Sequence, residues 1–149
     1  MLRKVILAPV PCLHLHTASS VPALATRVAF GSSQADVPNL PPGLPVFICA
    51  SHPEDAPPEA LKLLRSGYAT WTGKLLGVVR AVDGGRRNGK HEDPTVRPPS
   101  AEEKDGPFQY FWEVAGFGLL AKPQGLRDFQ AAGPIGKAPR WPIVAELDY

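Results

Sequence analysis

Glu113 stands inside Phe108–Val114 (Phe-Gln-Tyr-Phe-Trp-Glu-Val), a carboxylate alternating with aromatic rings. A carboxylate in that setting either faces a pocket, where burial would tune it for proton transfer, or faces water. The paired carboxylates Glu54-Asp55, Glu92-Asp93 and Glu102-Glu103 fall in stretches without hydrophobic period, where solvated charge is the default. Cys49 lies in the apolar run Val-Phe-Ile-Cys-Ala, where burial disfavours the thiolate a nucleophile needs. Neither Cys12 nor Cys49 has a second Cys or His at zinc-site spacing, and no Gly-x-Ser-x-Gly elbow occurs. His14 and His16, read as part of a strand, share one face, but two imidazoles do not make a metal site. Gly84–Lys90 (Gly-Gly-Arg-Arg-Asn-Gly-Lys) is glycine-rich and basic without the Gly-Lys-Ser/Thr ending of a nucleotide loop. No metal and no cofactor is expected.

Nucleic-acid binding has more positive support. Unpaired bases are recognised by stacking on aromatic rings and by hydrogen bonds to their edges. Tyr68, Trp71, Tyr110, Phe111 and Trp112 flank a segment that carries Arg86, Arg87, Lys90 and Arg97, with Lys74 and Arg80 just before it. These six cations are the candidates for contact with a sugar–phosphate backbone. Strand alternation puts Phe108, Tyr110 and Trp112 on one face and Phe111 on the other, and one of the two sets must pack a core. Thr70-Trp71-Thr72 sets two hydroxyls beside an indole and reads as a pocket rim. The net charge is only +2, too small to announce a nucleic-acid partner by itself.

The elements that must position these residues are short. The 149 residues include 18 Pro and 14 Gly, which excludes long helices, bundles and coiled coils. Strands are expected at Lys4–Val10, Leu44–Ala50, Gly73–Asp83, Phe108–Val114 and Pro142–Leu147. Leu44–Ala50 is apolar on both faces and so central. Short helices are expected at Val21–Phe30, ended by Gly31, and at Pro58–Ser66, ended by Gly67, with one helical turn at Leu126–Phe129. Arg86 to Gly106 has neither period nor aromatic residue and reads as an exposed loop, bounded as 84–107. The sum is one α+β domain over 1–149, a curved, mostly antiparallel sheet or small barrel.

Three stretches resemble the PUA-like superfamily, in its EVE and ASCH branches. Pro42–Ser51 is similar to the strand "Pro-Gly-Asp-x-Val-Leu-Ile-Tyr-Ala-Ser", and Gly77–Asp83 to "Gly-x-Val-x-Val-x-Glu". His91–Thr95, Phe111–Val114 and Leu120–Phe129 together resemble the EVE order "Asp-Pro-Thr … Trp-x-x-Val … Leu-x-x-Pro-Val-x-Leu". The resemblance implies a pseudo-barrel of five or six strands with short flanking helices. It also implies binding of RNA or of a modified base in DNA in a cavity at the barrel mouth, lined by Ser51 and the aromatic strand around Trp112. Some ASCH-like proteins are amidohydrolases, but this chain has Ala25 where they carry lysine.

The expectation is therefore a nucleic-acid-binding module whose ligand site uses Ser51, Thr70, Trp71, Thr72, Tyr110, Trp112 and Glu113. The alternatives are a small amidohydrolase, with Glu113 as acid/base beside Thr72 or Lys74, and an interaction domain without a ligand. No stretch is apolar enough to span a membrane. A cytoplasmic location is expected. The alternative is an organelle-targeting segment, since no acidic residue precedes Asp36.

Overall fold

The computed structural model describes the chain apart from residues 63, 83–88, 102–107, 132–134 and 136. Seven strands are described: β1 (Leu2–Pro11), β2 (Val28–Ser32), β3 (Pro45–Ser51), β4 (Tyr68–Arg80), β5 (Tyr110–Gly125), β6 (Phe129–Gln130) and β7 (Ile143–Asp148). Two short α-helices join them, α1 (Cys12–Ser19) and α2 (Pro58–Leu61), with single 3-10 turns between. The strands form one mixed sheet in the order β2-β5-β4-β3-β1-β7-β6. Only β1 and β3 run parallel; every other neighbouring pair is antiparallel.

β4 and β5 make a ribbon that is longer than its neighbours. β2 pairs with its early β5 end, Val28↔Val114 to Ser32↔Tyr110, while β3 pairs with early β4, Pro45↔Lys74 to Ile48↔Trp71. The β4–β5 register shifts between Ala69 and Trp71, Thr72 and Lys74, and Leu75 and Gly77. Each such irregularity adds bend and twist to a strand. The ribbon therefore coils and carries β2 round toward β1, although three strands separate them in the sheet. Val28 and Phe30 of β2 accordingly share a core with Ile6, Ala8 and Val10 of β1. Leu15 and Ala18 of α1 and Leu24 of the turn Pro22–Ala25 fill its centre.

The sheet rolls but does not close: the barrel expected from the sequence is absent, and β2 and β6 remain its two ends. β1 supplies a physical reason. Its pairing with β7 stops at Leu7, whereas its pairing with β3 continues to Pro11. Proline has no N–H for a ladder, so Pro9 and Pro11 suit a stretch that is paired on one side only.

The second face carries its own core, with Val5, Leu7, Phe47 and Cys49 under Leu126, Phe129 and Leu147. β3 is thus buried on both faces, as its unbroken apolar run predicts. Other expectations shift. His14 and His16 lie in α1, not in a strand, so they point away from each other rather than to one face. Residues 21–30 form one 3-10 turn and the start of β2, and Gly31 is a strand residue. The pattern misled because Val21, Leu24 and Val28 face the core through tertiary packing rather than through one helix, while Ala25 is exposed. The segment with transit-peptide composition supplies β1, α1 and β2. None of the described helices is long and apolar enough to cross a membrane.

Candidate binding cavity

Beyond the last β1–β3 pairs, the rolled sheet leaves a cavity of about 860 Å³ between the end of β1 and β2. That size falls in the ~300–1,000 Å³ range of small-molecule sites. Its position also matches the place where ligands enter sheets containing parallel strands, outside their carboxyl ends. The floor is apolar: Pro9, Val10 and Pro11 from β1 and Phe30 from β2, which ties the cavity to the first core. Phe108 forms a wall against Gly31, where a Cβ would stand 2.5 Å from Phe108 Cγ, so only glycine allows that approach.

The polar groups come from four places. His14 extends from α1, Ser100 from the segment before β5, and Ser51 and His52 from the end of β3. His52 adopts a left-handed backbone (φ 52°, ψ 56°) directly before Pro53. A non-glycine residue held there costs on the order of 1–3 kcal/mol, and such strain gathers at binding sites. Its ring accepts or donates at Nδ1 to Ser51 Oγ, 2.9 Å away. Arg97 is fixed by a 2.8 Å bond from Nη1 to the Ala29 carbonyl and by its guanidinium lying 4.9 Å from the Phe111 ring centre. Arg140 completes the rim, and a smaller adjoining hollow of about 200 Å³ shares Pro9, Gly31, Phe108 and Arg140 with it. Trp141, 37% exposed, borders that hollow.

Ser51 and Arg97 are the sequence candidates that the cavity brings together. Trp71 and Trp112 do not present their rings to it. Trp71 is 2% and Trp112 1% exposed, and both belong to the core. Trp71 stacks on Phe117 at 4.9 Å and 6°, and Trp112 lies 4.9 Å from Phe30. Trp112 touches only the smaller hollow. Tyr110 packs half-buried against the same core. Thr70 is buried, and Thr72 is spent on a 3.0 Å bond to the Val46 carbonyl.

The expected single face of Phe108, Tyr110 and Trp112 is also corrected. β5 begins at Tyr110, so Phe108 precedes the alternation and packs against the opposite side with Phe111. Among the cations, Lys74 pairs with Pro45, at the far end of β3 from Ser51, some 20 Å away at about 3.3 Å per residue. Arg80 and Lys90 are exposed and line neither hollow. Arg86 and Arg87 lie outside the described residues.

Glu113 turns away from the cavity. It sits in β5 between Ala29 and Gly77, on the face opposite Trp112. Though 7% exposed, it accepts from Arg27 Nη2 at 2.7 Å and from His91 Nε2 at 2.9 Å. His91 Nδ1 in turn accepts the Asp93 N–H at 2.8 Å, which fixes the tautomer with its proton on Nε2. Asp93 caps the turn Pro94–Val96 by accepting from Thr95 N–H and hydroxyl. Burial pushes the Glu113 carboxyl up, but the Arg27 and His91 hydrogen bonds outweigh it and hold the group below the usual carboxylate range. With its oxygens so engaged and its side chain lining neither of the two hollows described, Glu113 anchors a loop. Residues 91–98, read as an exposed loop, are pinned here, with His91, Val96 and Pro98 buried.

Trp141, Arg140, His14, His52 and Ser100 were missed. Arg140-Trp141-Pro142 before the last strand was a visible signal, an aromatic beside a cation at a strand entrance. Ser100 carried none. No group of three or more His, Cys, Asp or Glu that could hold a metal occurs among the described residues. Comparison with family models, with curated proteins and with solved structures finds no match to this chain.

Proposed function

We propose that the protein is a nucleic-acid-binding module that takes an unpaired or modified nucleobase of RNA or DNA into the cavity beside β1 and β2. One observation carries the reading. A cavity of about 860 Å³ with apolar and aromatic walls meets, on one rim, two arginines, two histidines and two serine hydroxyls. Flat rings and hydrocarbon suit the faces of a base, hydroxyls and imidazoles its edges, and guanidinium groups the phosphate. Trp141 beside Arg140 gives an exposed indole on which a neighbouring base would stack.

Titration of the purified chain with fluorescent single-stranded RNA and DNA, and with free nucleoside monophosphates, tests this. Affinity is expected to fall as salt rises, because phosphate contacts release counterions. Trp141→Ala is expected to lose ~1–3 kcal/mol of stacking. Arg140→Ala is expected to flatten the salt slope by about 0.7 for one single-strand contact. Absence of binding to every oligonucleotide and nucleotide, or binding indifferent to both substitutions, overturns the proposal.

A further inference from the structure

His14, Thr17 and Ser100 form a hydroxyl relay at the cavity wall. Ser100 Oγ lies 2.7 Å from His14 Nδ1 and 2.7 Å from Thr17 Oγ1. The Ser100 backbone N–H also points to Thr17 Oγ1, at 3.3 Å. Hydrogen accounting gives these contacts a direction. Thr17 Oγ1 accepts a hydrogen bond from the Ser100 backbone N–H, and the acceptor its hydroxyl could reach besides Ser100 Oγ, the His14 carbonyl, is 3.4 Å away. Its own hydroxyl hydrogen is therefore best placed on Ser100 Oγ, which leaves the Ser100 hydrogen for the imidazole. Residues 14 and 17 stand one turn apart on the same side of α1, whose other side is fixed in the core by Leu15 and Ala18. Ser100 and His14 line the cavity. Thr17 is not among its lining residues, so it supports the serine from behind while the front faces the space a ligand would occupy.

We propose that Ser100 is a nucleophile, activated by His14, toward an ester or amide carbonyl bound in this cavity. Ser100 Oγ bonds to the acyl carbon and its proton passes to His14 Nδ1. The tetrahedral adduct then breaks the bond to the alcohol or amine, which leaves with that proton. Water attacks the acyl-serine, its oxygen joins the acyl carbon, and one of its protons passes through His14 back to Ser100 Oγ as the acid departs. Thr17 donates to the oxygen that carries negative charge as the proton leaves it. The hydrolase considered from the sequence used Glu113; here that residue has no part. The step depends on the cavity wall alone and stands whether or not the ligand carries a nucleobase.

A fluorophosphonate probe tests it, since serine attack on phosphorus expels fluoride and leaves a stable adduct. Intact mass and peptide mapping are expected to show one adduct, on Ser100. His14→Gln is expected to slow labelling by about 10²-fold or more, the usual worth of a general base. Ser100→Ala is expected to remove the adduct while leaving the thermal midpoint close to wild type, which shows that the loss is of the nucleophile and not of the fold. No adduct at Ser100 in the natively folded wild-type chain, or equal labelling rates with and without His14, overturns the assignment. Because the oligonucleotide titration relies on Arg140 and Trp141, failure there and failure here are separable.

Discussion

Glu113 Oε2 accepts a 2.9 Å hydrogen bond from His91 Nε2, and this contact joins β5, next to the sheet's edge strand, to a segment 22 residues earlier in the chain. Arg27, from just before β2, closes the same carboxylate from the other side. A carboxyl held below its ordinary value is stabilising while ionised. That contribution is complete above the unfolded carboxylate value of about 4.3 and is lost as pH falls through the lower folded value. Asp93, held low chiefly by the Thr95 hydroxyl, acts in the same direction.

Glu113→Ala is therefore expected to cost about 1–3 kcal/mol at pH 7, since it leaves the buried His91 without its acceptor. Chemical denaturation between pH 7 and pH 3 checks this. The gap between wild type and Glu113→Gln should narrow in acid, and a constant gap contradicts the ionised role.

Trp112→Ala and Trp71→Ala should act on folding. Each removes a ring packed against Phe30 or Phe117, and losses of about 3–5 kcal/mol are expected. Urea titration gives the value. Retained stability with lost oligonucleotide affinity reverses the placement of these rings.

Gly31→Ala forces Phe108 away from its seat on the β2 backbone. Overpacking of this kind costs about 1–3 kcal/mol and here also narrows or reshapes the cavity wall. Oligonucleotide affinity should drop more than in an Ala substitution at exposed Lys74. Equal affinities locate the ligand elsewhere.

Thr70 Oγ1 and Trp71 Nε1 are buried with no hydrogen-bond partner among the described residues. Thr70→Val exchanges the unpaired hydroxyl for a methyl of similar shape. The substitution is expected to stabilise the protein by about 1 kcal/mol, read as a higher denaturation midpoint.

Burial pushes the Cys49 thiol up to about 12, and burial raises the Cys12 thiol as well. Both should resist thiol reagents at pH 8 until the chain unfolds, and fast modification of Cys49 in the native state contradicts its placement.

Strand positions were largely legible because β1 and β3 carry apolar runs that end at Pro or Ser, and β7 opens on Ile-Val-Ala directly after Pro142. β5 reads beyond Val114 less easily, as Gly116 and Gly118 interrupt it, and Phe117 therefore went unnoticed despite its place beside Trp71. The ligand site was harder still. Alternation tells which residues share a face, not which face is covered, and here α1 and residues 22–40 cover the indole face. Cavity residues such as His14, Ser100 and Arg140 are brought together from distant segments by the coil of the β4–β5 ribbon. Local spacing does not encode that coil.

The two imino acids near the end of β1 have one more consequence. An unzipped seam between β1 and β2 is an entrance that the backbone itself cannot seal. Restoring amide hydrogens there, with Pro9→Val and Pro11→Val, would let the chain's own edge compete with any guest for the same slot.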